Sequence, residues 1–136
     1  MCRNTMDFSD KESKPLFSIL IPAYNVGKLV RRCLFTVLNQ TYSNIEVIIV
    51  DDASTDNTFD VISEYAKHDK RIKVIRNEKN ESLEYSRTVA MEMCKGDYIL
   101  FVDSDDYISL DICETLFREL SIEKSDIRVR ICDRPI

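Results

Sequence analysis

Glycine is almost missing from this chain, with only Gly27 and Gly96 in 136 residues. A glycine-rich phosphate loop, which needs backbone N–H groups free of neighbouring Cβ atoms, therefore has nowhere to form. Histidine is scarcer still: His68 stands alone among Lys67, Asp69 and Lys70 and reads as an exposed helix-end residue. With no partnering histidines and no C-x-x-C spacing among Cys2, Cys33, Cys94, Cys113 and Cys132, a zinc site is not expected. Cys33, Cys94 and Cys113 fall in apolar helical patterns and read as reduced core residues, which suits a cytosolic compartment. No apolar stretch approaches the roughly 18 residues of a membrane span, and Met1 to Pro15 is too polar and mixed in charge for a signal peptide. The expectation is a cytoplasmic chain without a membrane span. Positive charge is in the minority, 19 Lys and Arg against 24 Asp and Glu, and the net charge of -5 argues against a nucleic-acid partner. A phosphate ligand would also be repelled unless a cation or local basic groups intervened.

What remains is an ordinary globular composition, 44% hydrophobic and 32% charged, enough for one serious core. The expected organisation is a polar, disordered segment over 1–15, one domain over 16–122, and a tail over 123–136. In that tail Ile127 to Ile131 alternates like an edge strand. Short β-branched runs alternate with amphipathic segments. Strands are expected at Phe17 to Pro22, Ile45 to Val50, Ile72 to Ile75 and Asp97 to Asp103, and the continuous apolar run of the second implies burial on both faces. Helices are expected over Lys28 to Asn39, after the possible N-caps Ser54 to Asn57 with Val61, Ile62, Tyr65 and Ala66 inward, over Ser82 to Cys94, and over Asp111 to Leu120 on a line of Ile112, Leu116 and Leu120. Gly96 is placed where a left-handed helix cap would sit. Strand and helix alternating four times predict an α/β fold, a doubly wound, mainly parallel sheet flanked by helices.

Ligands of such sheets bind outside the carboxyl ends of the strands. The segments leaving those ends are Pro22-Ala23-Tyr24-Asn25, Asp51-Asp52-Ala53-Ser54 and Asp103-Ser104-Asp105-Asp106. In an extended backbone Asp103 and Asp105 share one side while Ser104 and Asp106 take the other. Two carboxylates about 4 Å apart repel by about 4 kcal/mol at an effective dielectric near 20, and a divalent cation relieves this. An isolated Asp-x-Asp is more often a solvated turn capping the helix that starts near Ser109. An aromatic ring, paired acids and same-side carboxylates on one rim are together suited to a base, its hydrogen-bonding edge and a metal-bridged diphosphate.

The ordered motifs Phe17-Ser18-Ile19-Leu20-Ile21-Pro22-Ala23-Tyr24-Asn25, Val37-Leu38-Asn39-Gln40-Thr41-Tyr42, Val50-Asp51-Asp52-Ala53-Ser54-Thr55-Asp56 and Gly96-Asp97-Tyr98-Ile99 leading into Asp103-Ser104-Asp105-Asp106 resemble the nucleotide-binding half of family 2 glycosyltransferases with the GT-A fold. The resemblance spans about Phe17 to Leu120. It implies that Pro22 and Tyr24 lie against a nucleotide base, with Tyr24 as the stacking ring, and that Asp52 accepts a hydrogen bond from a uracil-like N–H. Asp51 either braces that loop or joins the binding set, and Arg87 reaches toward the nucleotide. Ala23 and Ser104 complete the nucleotide-binding set. Asp103 contacts ribose or the metal through water, and Asp105 binds Mn2+ or Mg2+ directly.

The resemblance further implies a metal-dependent, inverting transfer of a sugar from a nucleotide-diphosphate donor, a UDP-sugar by expectation, to the hydroxyl of a carbohydrate or lipid-linked acceptor in polysaccharide biosynthesis. The general base and acceptor surface would lie downstream of the Asp-x-Asp strand. The base is unassigned: Asp106, Asp111 and Glu114 are near only in sequence. The chain therefore reads as the donor-binding half, with a catalytically silent nucleotide-binding module as the alternative. Ser82 and Ala90 stand where the family pattern has glycine, and Thr88 where it has asparagine, which bears on donor affinity. Two rivals fail on the sequence. A receiver-type signalling domain needs its acid pair after the first strand, where Pro22 stands, and a sugar nucleotidylyltransferase needs the glycine-rich loop that is missing.

Overall fold

A computed structural model describes residues 14–123 of the chain. The expected disordered segment below residue 14 and the alternating stretch Ile127 to Ile131 lie outside the described residues. All seven residues of β1 (Phe17–Ala23) and all seven of β2 (Ile45–Asp51) are buried. Such strands are apolar along both faces because helices cover both sides of a parallel sheet. β1 pairs in parallel with β2 from Phe17 opposite Ile45 to Ala23 opposite Asp51. On its other edge β1 pairs in parallel with β4 (Tyr98–Phe101), and β2 pairs with β3 (Ile72–Arg76), giving the order β3-β2-β1-β4. The chain steps outward from β1 to β3 and then returns to the far side of β1. The winding reverses between β1 and β4, and the crevice outside their carboxyl ends is where such folds bind ligands.

Side-chain alternation divides the core. Ile19, Ile21, Val47 and Ile49 face α1 (Val30–Leu38), α2 (Thr58–His68) and α4 (Ile112–Glu123). Leu20, Ile48 and Val50 face α3 (Leu83–Met93), whose Ala90 packs on them. α1 buries Val30, Cys33, Leu34 and Val37, the spacing of one helical stripe. In α2, Val61 and Ile62 are buried while Tyr65 and Ala66 pack half-buried, and His68 ends the helix exposed beside Glu64. In α4 the buried line is Cys113, Leu116 and Leu120, with Ile112 half-buried beside it. Burial pushes the Cys33 and Cys113 thiols up to about 12, so both are protonated packing groups. Among the described residues no helix is long and apolar enough to cross a membrane.

Two positions correct the reading of the α3 ends. Gly96 has no positive φ, and α3 stops at Met93 with Cys94 in an extended conformation, so glycine is not a left-handed cap here. Its reason is close approach: a Cβ at Gly96 would lie 2.2 Å from Ser18 Oγ and 2.8 Å from the Leu16 carbonyl oxygen. Ser82, at φ 153 and ψ 166, occupies backbone space that glycine favours. It is held there while its Oγ accepts from Tyr85 N at 3.1 Å.

The strand end opposite the crevice is braced by Glu46. This buried carboxylate accepts from Ser18 Oγ at 2.6 Å and Lys95 N at 2.5 Å, while Gly96 N donates to Ser18 Oγ at 2.8 Å. Burial pushes the Glu46 carboxyl up, but the Ser18 hydroxyl, the Lys95 N–H and the Lys73 charge outweigh it and hold the group below its ordinary value. A depressed folded pKa contributes stability above the unfolded value of about 4.3 and loses it as pH falls through the folded value. Glu46→Ala should lower unfolding stability at pH 7 by about 1–3 kcal/mol, since it leaves buried donors unmatched. Chemical denaturation between pH 7 and 3 should show that difference shrinking at the acid end. The two glycine positions predict opposite signs in the same assay. Gly96→Ala should cost about 1–3 kcal/mol through overpacking. Ser82→Gly should stabilise by about 1 kcal/mol, because strain of this kind costs about 1–3 kcal/mol while a Ser-to-Gly change at a cap costs only a few tenths.

Candidate functional site

The β1–β4 ladder ends for a reason written in the sequence. Val102 N donates to the Leu20 carbonyl at 3.0 Å. Alternation along a parallel strand makes residue 22 the next donor on that edge of β1, and it is a proline with no N–H. Beyond Val102 the chain leaves the sheet and turns, closed by Asp106 N donating to the Asp103 carbonyl at 3.0 Å. The turn overturns the extended-strand expectation for Asp106. Instead of pointing away, it joins Asp103 and Asp105, and carboxylate oxygens of all three lie within 4.8 Å of one another. This all-oxygen donor set fits a hard divalent ion such as Mn2+ or Mg2+.

The turn is held from the α1 side. Cys33 Sγ donates to the Asp103 carbonyl at 3.6 Å, and Arg32 Nη2 to the Asp105 carbonyl at 3.1 Å. Further along, Ile108 N donates to Thr36 Oγ1 at 3.2 Å, and Gln40 both donates to the Ser109 carbonyl at 2.7 Å and accepts from Cys113 N at 3.1 Å. Gln40 of the Asn39-Gln40-Thr41-Tyr42 motif thus ties α1 to the segment that follows the acids. On the other side Arg87 of α3 reaches Asp103 Oδ1 at 3.5 Å and Glu84 at 3.3 Å, while its Nε is buried without a hydrogen-bond partner.

The loops after β1 and β2 are laced together. Asn25, at φ 50, accepts through Oδ1 from Thr55 N at 2.8 Å and Asp56 N at 3.3 Å, and donates its own N–H to Ser54 Oγ at 3.0 Å. Val26 N reaches Thr58 Oγ1 at 2.8 Å and Gly27 N reaches Asp56 Oδ2 at 3.1 Å. The Asp56 carboxylate also takes Thr58 N at 2.9 Å just ahead of α2, whose N-cap residue Asn57 makes no side-chain cap bond, and the Thr58 hydroxyl holds the Asp56 carboxyl below the usual range. This lacing sets Tyr24 at the rim, 46% exposed.

The adjacent acids part ways. Asp51 is fully buried, with Oδ2 3.2 Å from Arg76 Nε and accepting from Ser54 N at 3.3 Å; it braces the loop and does not line the cleft. Ala53, at φ 58, lets the chain reverse beyond Asp52. Asp52 Oδ1 accepts from Asn77 Nδ2 at 2.8 Å and Glu81 N at 2.9 Å. Asn77 also donates to Ser86 Oγ at 3.1 Å, so an amide at the end of β3 orients the acid.

Pro22, Ala23, Tyr24, Asp52, Asp103, Ser104 and Asp105 come together on one cleft of about 470 Å³. Asn80, Ser82, Leu83 and Ser86 close its other wall and were not expected there as binding residues. Asn77 could be suspected only from its place at a strand's carboxyl end, and Ser86 carries no sequence signal of its own. Of the departures from the family pattern, only Ser82 lies in the cleft. Ala90 is buried against the sheet, and exposed Thr88 bonds the Glu84 carbonyl at 2.9 Å.

Comparison with known proteins identifies the family. Bacillus subtilis EpsH, a putative glycosyltransferase, is 45% identical over 104 residues, which are 76% of this chain and 30% of EpsH. The glycosyltransferase GlyG of Streptococcus pneumoniae is 36% identical over 112 residues, 82% of this chain and 37% of GlyG. The chain thus spans about a third of the length of these two relatives. The crystal structure of residues 1–349 of S. aureus TarS in complex with UDP superposes with a TM-score of 0.76 at 29% identity, covering 87% of this chain and 38% of that one, and the same protein has been solved with UDP-GlcNAc. The sequence profile of Glycosyl transferase family 2 matches residues 18–133, and the chain belongs to that family.

Proposed function

We propose that the cleft binds a nucleoside-diphosphate sugar, a UDP-sugar by preference, together with Mn2+ or Mg2+, as the donor half of an inverting glycosyl transfer. The observation that carries this reading is the meeting of Tyr24, Asp52 and Asp105 on one cleft at the reversal point of the sheet. Each group has a matching chemistry. The exposed Tyr24 ring stacks on the base, over the floor formed by Pro22 and Ala23. Asp52, with Oδ1 fixed by Asn77 and Glu81, offers its other oxygen to a uracil-like N–H. Asp103 and Ser104 face the ribose and diphosphate, and Arg87, which does not itself line the cleft, contributes positive charge from its place 3.5 Å from Asp103. Asp103 and Asp105 would hold the ion, which when bound would supply Lewis-acid stabilisation to the departing diphosphate. The TarS complexes with UDP and UDP-GlcNAc support a uridine donor.

Transfer also requires a carboxylate that takes the proton of the acceptor hydroxyl as it attacks the anomeric carbon. No residue of this cleft is assigned that role, because its acids are committed to the ion and the base. Calorimetry of UDP binding with and without Mn2+ tests the donor reading, and turnover of a UDP-sugar separates an active transferase from a silent binding module. Asp105→Ala should weaken Mn2+-supported UDP binding by at least about tenfold. Its melting temperature should be unchanged or slightly raised, since an exposed carboxylate among like charges adds nothing to the core. Unaltered UDP binding by that variant in Mn2+ would overturn the site.

A further inference from the structure

Asp105 is the exposed residue of a turn in which Ser104 is buried and Asp103 and Asp106 are half-buried, and three mutually repelling carboxylates brought this close tend to splay apart. Something must hold the backbone beneath them. The carbonyl of Asp105 receives Arg32 Nη2 at 3.1 Å, and the same guanidinium lies 4.6 Å from the centroid of the Tyr107 ring. One planar group thus bonds the turn's backbone and stacks on the aromatic ring two residues further on. Arg32 is exposed, with its backbone in the first turn of α1 next to Cys33, which touches the Asp103 carbonyl. It uses a carbonyl and a ring as partners, and its bond to the turn occupies no carboxylate oxygen.

We propose that Arg32, stacked on Tyr107, is a positioning residue for the metal-ligating turn: it clamps the Asp105 carbonyl so that the Asp103, Asp105 and Asp106 carboxylates stay converged. The inference rests on the reading that this turn holds a divalent ion. Arginine suits the task because its planar fork donates along one edge while its face stacks, which lysine cannot reproduce. The role has a signature opposite to simple electrostatics. A positive charge beside a cation site repels the cation, so an Arg32 acting only through charge would make Mn2+ binding tighter when removed. A clamp makes it weaker.

The test is a Mn2+ titration of the full chain at fixed UDP, read by calorimetry as the Mn2+ midpoint, with melting temperatures measured alongside. Arg32→Gln and Tyr107→Leu should each raise the midpoint about tenfold, the scale for supports that orient metal ligands, with melting temperatures close to the parent. Tyr107→Phe keeps the ring and should match the parent, while Arg32→Lys keeps the charge and should recover only part of the loss. A midpoint that is unchanged or lower in Arg32→Gln, while Asp105→Ala abolishes the Mn2+ effect, overturns the clamp and leaves the donor reading standing. If the parent shows no Mn2+ effect on UDP binding, or Asp105→Ala retains it, the donor reading fails and takes the clamp with it.

Discussion

β1 is paired on both edges, but its two ladders have different lengths, and the cleft exists because of that difference. Toward β2 the pairing runs to Ala23 opposite Asp51, whereas toward β4 it stops at Leu20 opposite Phe101. The imino nitrogen of Pro22 cannot extend the second ladder. β4 is therefore released early, and its acids turn over the end of β1 instead of continuing along it. The same proline is buried and lines the cleft that opens there. One missing donor thus ends a strand, starts a turn and opens a cleft at the point where the sheet reverses its winding.

The charge balance at this rim follows from its geometry. Three carboxylates converge where Arg87 lies 3.5 Å from one of them, and Arg32 bonds only a carbonyl of the turn. The surplus is negative, and it is felt underneath: beyond burial, the acids of the turn help push the Cys33 thiol up to about 12. A diphosphate approaching this surface meets repulsion unless a cation is bound, which makes nucleotide binding and metal binding one thermodynamic event in the proposed mechanism. The neighbouring Asp51 shows the alternative fate of a carboxylate at a strand end. It is buried on Arg76 and spent on holding a loop.

Much of this was legible in the sequence because it depends on local periodicity. The continuous apolar runs of β1 and β2 announce burial on both faces, the stripe of Val30, Cys33, Leu34 and Val37 announces α1, and the ordered acidic and aromatic loops announce the rim. What was not legible depends on partners distant in sequence. Strand geometry extended past Val102 puts Asp106 on the wrong side, and what ends the strand is the missing donor at residue 22, far away in sequence. Gly96 looked like a helix cap because it follows a helix, yet its constraint is the Ser18 backbone some eighty positions away. Asn77 and Arg32 are ordinary polar residues in any window of sequence. They acquire roles only when the fold brings them to Asp52 and Asp105.

The distribution of backbone strain bears on the site without reference to any relative. Among the described residues the non-glycine positions with positive φ are Asn25, Ala53 and Ser82. Asn25 and Ala53 lie in the loops at the carboxyl ends of β1 and β2, and Ser82 follows β3 on the cleft wall. Each such residue costs of order 1–3 kcal/mol unless its surroundings over-determine it, and glycine would relieve the cost. A chain with only two glycines has not used one at any of these positions. Asn25 is compensated by its four bonds to the β2–α2 loop, and Ser82 by capping α3. Ala53 has no polar side chain to compensate it, so its cost is carried by the neighbours that orient Asp52, above all the bond from Asp52 N to the Ala23 carbonyl at 2.8 Å. Strain of this kind survives where the chain must present a particular group, and here the group beside the strained residue is a buried carboxylate facing the cleft.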